Sequence, residues 1–169
     1  MTAAARVRTA LVASVVGAGL LVGCGGAHPA RPRSAPVAMT VPALDGGELD
    51  LASLRGKVVV IHAFTTWSVA AQLDVEQLVA ADAAADVVVV GLALDADGRV
   101  LVAPWRAAGD VTYLVALADD AIRAGRSVLG PLPEVPTTFV LDGEGRIVTR
   151  VERQLGPGEL ARLIAAARP

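Results

Sequence analysis

The chain has 169 residues, with 15 Lys and Arg against 17 Asp and Glu and a formal charge of −2. That length holds one domain plus a targeting segment, the apolar content is ample for a core, and the mildly acidic balance argues against nucleic acid as the main partner. Ala, Val and Leu far outweigh the 3% of aromatic residues, which fits a small α/β fold with closely packed elements.

Residues 1–23 carry Arg6 and Arg8 and then an apolar run from Ala10 to Val22 that ends in small residues, the layout of a secretory signal peptide. The run is short for a membrane-spanning helix, which needs about 20 apolar residues. Leu21-Val22-Gly23-Cys24 looks like a bacterial lipobox, so Cys24, the only cysteine, is expected to become the first mature residue and to carry lipid on its sulfur. Several acyl chains attach a protein stably where a single one is marginal. An uncleaved anchor and an ordinary signal peptide with a chance cysteine are the alternatives. Residues 24–36 form a Pro- and Gly-rich tether without apolar periodicity, leaving residues 37–169 as the domain. Loss of the leader takes two of the 15 basic residues and no acid, so the mature chain has 13 basic against 17 acidic residues, a balance of −4. His28, Arg31 and Arg33 make the tether locally basic, and a solvated linker accounts for them.

In the domain, residues 37–50 are expected to form an N-terminal hairpin through Asp45-Gly46-Gly47. Lys57 to Phe64 reads as a buried strand that feeds a helix from Ala70 to Ala84, and Asp86 to Leu94 as a second buried strand. Leu94-Asp95-Ala96-Asp97-Gly98 resembles a fragment of a calcium loop without the later ligands, so a strand-to-helix turn with Asp near the helix start explains it better. A helix from Arg99 to Ala108 carries Trp105 as a core or half-buried residue, and Asp119-Asp120 reads as an acidic helix start. Residues 134–148 form two strands around a Gly-containing turn, and Gly158 to Ala167 a closing helix.

Three pieces in this order, Leu54-Arg55-Gly56-Lys57-Val58-Val59-Val60, Thr66-Trp67, and Val135-Pro136-Thr137-Thr138-Phe139-Val140-Leu141-Asp142, resemble the membrane-anchored thioredoxin-like disulfide reductases of the TlpA/ResA type, and more loosely the AhpC/TSA redoxins. The resemblance spans residues 37–168 and implies a thioredoxin-like α/β fold, with a central mixed sheet flanked by helices. It implies a cis bond before Pro136, facing the redox motif. Trp67-Ser68-Val69-Ala70-Ala71 then stands where the family carries Trp-Cys-x-x-Cys, with Ser68 and Ala71 at the two cysteine positions.

Dithiol exchange needs one thiolate to attack and a second thiol to resolve the mixed disulfide. No cysteine lies between Gly25 and Pro169, so thiol–disulfide oxidoreductase activity, the alternative that the resemblance suggests, lacks its chemistry. Thr65-Thr66-Trp67-Ser68 echoes a peroxidase motif with serine at the peroxidatic position, and serine does not reduce peroxide under ordinary conditions. Ser68 is expected to cap the helix. A Ser68 nucleophile would need a base and charge stabilisation, and the nearest histidine, His62, lies on a strand and reads as a hydrogen-bonded structural residue. No Cys/His spacing suits zinc or copper, so neither metal nor cofactor is expected. Trp67 is either core or a surface platform. The expected function is therefore redox-inactive binding of an envelope protein or peptide, with membrane attachment through Cys24. The resemblance implies a groove lined by Trp67, Ser68, Val69, Val135, Pro136 and Thr137, in which the Val135 backbone would make strand-like contacts.

Overall fold

The computed structural model describes residues 34–169. The leader, Cys24 and most of the tether lie outside the described residues, as do the expectations placed on them. The two near-continuous apolar runs form β3 (Val58–Phe64) and β4 (Val87–Ala93), buried throughout except for Val88 at half exposure. Strands buried on both faces read as unbroken hydrophobic runs and belong in a parallel sheet. They pair in parallel, Val58 opposite Val87, and β5 (Leu114–Leu117) continues the parallel set beyond β4. On the other side of β3, β6 (Thr137–Leu141) is antiparallel and β7 (Ile147–Val151) antiparallel to it, giving the order β5-β4-β3-β6-β7.

Crossovers run through α1 (Val69–Asp82) and α2 (Gly98–Ala108). α1 stops two residues before the expected Ala84. There the Asp82 carboxylate accepts from Val89 N–H at 2.8 Å, which draws the chain into β4. Strand alternation splits the core in two. Val60 and Phe64 face Leu78 of α1, Val102 of α2 and Ile164 of the closing helix α4 (Glu159–Ala167). Ile61, Val90 and Phe139 face Val41, Leu51 and Ile122. Ile122 belongs to α3 (Asp120–Arg123), whose start is capped by Asp119 accepting from Ile122 N–H at 2.8 Å.

The N-terminal hairpin forms as expected, β1 (Thr40–Pro42) against β2 (Glu48–Asp50), with Gly46 and Gly47 at φ 105° and 73°, a region that favours glycine. Its turn covers the edge of β5 through a Leu44 N–H bond to Val115 C=O at 2.8 Å, and Arg106 pairs with Asp45 at 2.7 Å. An edge closed in this way is no template for pairing with another chain.

Candidate functional site at the carboxyl ends of the parallel strands

Strands β3, β4 and β5 end together, and β6 begins beside them because Thr137 pairs with Ala63. Segments 65–68, 94–97, 118–119 and 133–136 therefore meet at one end of the sheet. Ligands of open α/β sheets bind outside the carboxyl ends of the strands.

Ser68 sits in extended conformation at the start of α1, and its Oγ accepts from Ala71 N–H at 3.3 Å. The hydroxyl is thus taken up in capping, as expected, and the Ala71 methyl is packed into the core. Trp67 and Val69, on either side of Ser68, are each 74% exposed, so Trp67 is a surface platform. The cause is Asp95, whose carboxylate accepts from Thr66 N–H at 3.0 Å and from Thr66 Oγ1 at 2.7 Å. This staple pulls Thr66 inward and leaves the next residue, Trp67, facing out. The expected strand-to-helix turn forms here, with Asp97 at the position that precedes α2. α2 begins at Gly98, Asp97 precedes it without a side-chain hydrogen bond to the helix, and Asp95 braces the turn before α1. Trp105 is half-buried, stacked on Phe64 at 4.4 Å between ring centroids and donating to Gln72 Oε1 at 2.9 Å.

The Val135-Pro136 peptide bond is cis. Pro136 is buried and Val135 half-buried. Thr137 is fully buried, its Oγ1 donating to Glu134 C=O at 2.7 Å. Of the six residues expected to line a groove, Trp67, Val69 and Val135 present surface. Ser68, Pro136 and Thr137 lie beneath it, the two hydroxyls held in local hydrogen bonds. Among the described residues, Val135 N–H and C=O have no hydrogen-bond partner.

His62 is 1% exposed, with Nδ1 3.0 Å from Thr138 Oγ1 and Nε2 unpartnered. Burial lowers its pKa to about 4, so the ring is neutral at pH 7. Its ring lies on the Phe64 side of β3, and no hydrogen bond joins it to Ser68, whose Oγ faces Ala71 N–H. A serine–histidine pair is not assembled.

Asp74 escaped the sequence reading. Fully buried, it follows Ala71 by three residues and accepts from Leu155 N–H with both oxygens, at 3.1 and 3.3 Å. Burial raises its pKa to about 6; the Leu155 bond opposes this, Glu159 adds to it and Arg153 opposes it. Helical spacing was the available signal. Ala71, Asp74, Val75 and Leu78 fall on one stripe, which places a carboxylate on the apolar face.

No family model and no curated protein matches the chain. Solved structures do. A thioredoxin-family thiol:disulfide interchange protein from Chlorobium tepidum is 23% identical, with 80% of this chain and 96% of that one covered and a TM-score of 0.68. A DsbF homologue from Corynebacterium diphtheriae is 22% identical over 78% of this chain and 86% of its own, TM-score 0.68. A secreted Mycobacterium tuberculosis disulfide oxidoreductase homologous to E. coli DsbE is 24% identical over 76% and 96%, TM-score 0.65. On this likeness the described domain has the thioredoxin-like fold, with serine and alanine at the first and fourth residues of the turn that opens α1.

Proposed function

We propose that the protein is a redox-inactive thioredoxin-like module of the cell envelope, exported across the cytoplasmic membrane and held there by lipid on Cys24, that binds an extended protein or peptide segment at the Trp67/Val135 end of its sheet. The neighbours in fold are named as disulfide-exchange proteins, but residues 25–169 supply no thiol to attack or resolve. What survives of such a site is its capacity to hold a chain. The observation that carries this reading is the unpaired Val135 backbone, next to cis-Pro136 and at the same end of the sheet as two apolar side chains left in water. An extended peptide adds to a free backbone edge by main-chain hydrogen bonds and gains specificity from the side chains beside it.

The test is photo-crosslinking in cells from a probe at Val69, with Pro136→Ala as the comparison and mass spectrometry of the adducts. A defined envelope partner captured from the wild type and lost in Pro136→Ala is the expected result. No adduct above background overturns the reading.

A further inference from the structure

Resting on that reading, we infer that the segment bound at this end of the sheet is cationic: an extended stretch bearing lysine or arginine beside apolar residues. Segments 65–68, 94–97, 118–119 and 133–136 contain Asp95, Asp97, Asp119 and Glu134 and no Lys or Arg. Asp95 is spent on Thr66. Asp97, Asp119 and Glu134 are exposed, Asp119 with one oxygen on Ile122 N–H, and none has an ion-pair partner among the described residues.

Elsewhere acids meet arginines: Asp45 with Arg106, Glu144 with Arg146, Glu152 with Arg150, Glu159 with Arg153, Asp86 with Arg168. Two arginines that follow the site's acids in sequence, Arg99 and Arg123, are held in bonds of their own. Arg99 donates to the Ala43 and Leu44 carbonyls, and Arg123 to Ala118 C=O and Asp120. Complementary charge of this kind selects partners and speeds encounter. The positive end of the α1 dipole opposes a cation, but it acts within one turn, and three exposed carboxylates share its end of the sheet.

The apolar surface fits the same ligand. The exposed Trp67 ring can take a guanidinium or ammonium on its face, and the aliphatic stem of Lys or Arg can lie along Val69. With no thiol at the site, recognition by charge and shape replaces recognition by disulfide.

Three eight-residue peptides with blocked ends, alternating Val and Thr around a central pair of Lys, Ser or Glu, would be titrated calorimetrically into the full chain in a neutral detergent. The Lys peptide is expected to bind about 10-fold more tightly than the Glu peptide at roughly 50 mM salt, with the gap closing at about 500 mM. Asp97→Asn and Glu134→Gln, both on exposed side chains, should each weaken the Lys peptide about 3-fold and leave the Ser peptide unchanged. Ser or Glu peptides that bind as tightly as the Lys peptide would overturn the inference and leave the groove reading standing. If no peptide binds, or if Trp67→Ala changes nothing, the groove reading itself fails and takes the inference with it.

Discussion

The two ends of the central sheet are finished differently. At the amino end of β3, Asp142 closes the β6–β7 turn by accepting from Glu144 N–H and Arg146 N–H, both at 2.9 Å, and Gly56 N–H reaches Gly143 C=O. Arg146 bonds Ser34 C=O at 2.6 Å, and Arg168 pairs with Asp86 at 2.8 Å. At the carboxyl end, Trp67 and Val69 stand in water, Val135 keeps an unpaired backbone, and three exposed carboxylates have no ion-pair partner among the described residues. Folding accounts for the first end. Apolar surface grouped with a free backbone edge at the second adds nothing to stability, and it is the surface that the proposed peptide site would use.

The contrast breaks most severely at its base. Phe64→Ala removes the ring that stacks on Trp105 beneath the carboxyl end. A loss of about 3–5 kcal/mol in denaturant-derived stability is expected, and a much smaller one would mean that α2 packs independently of β3.

Acidity sharpens the contrast from inside the domain. His62, with a folded pKa of about 4 against 6.5 unfolded, withdraws stability as pH falls from 6.5 to 4. Asp74 has the opposite sign. Its folded pKa of about 6 lies above 3.8, so its contribution is present below pH 3.8 and lost as pH rises through 6. Each effect is about 3 kcal/mol at most, and they largely cancel. Asp74→Asn should stabilise the protein at pH 8 and expose the uncompensated His62 slope between pH 6.5 and 4. Urea melts at a series of pH values read this directly, and parallel curves for the two proteins would refute the assignment.

Asp95→Ala, which strips the Thr66 staple, is expected to cost about 1–3 kcal/mol. It should also raise amide exchange at Thr66 and Trp67 more than at Asp142, and equal changes at both ends would count against a local role. Trp67→Ala is expected to shift stability by less than about 0.5 kcal/mol while removing peptide binding. A marked drop in melting temperature would make the indole structural.

Much of this was legible in order. The apolar runs of β3 and β4, the Ser68 cap, the Gly46-Gly47 turn, the cis bond before Pro136 and the closing helix all follow from local chemistry or from the thioredoxin-like resemblance, and the structure contains them. Two features were not legible. Asp95 lies 29 residues from the Thr66 that it binds, and its place in Leu94-Asp95-Ala96-Asp97-Gly98 suggests only a turn. Asp74 bonds a backbone N–H 81 residues away, a partner that helix periodicity cannot name.

By itself the sequence determined the fold class, the lack of any thiol in the domain and the composition of the loops, because strand burial, capping and turn glycines depend on neighbours along the chain. Only the tertiary structure decided that Trp67 faces water and that the three acid-bearing segments 94–97, 118–119 and 133–136 converge on one end of the sheet. Those outcomes depend on contacts between distant segments, and such contacts exist only once the parallel strands have been brought into register.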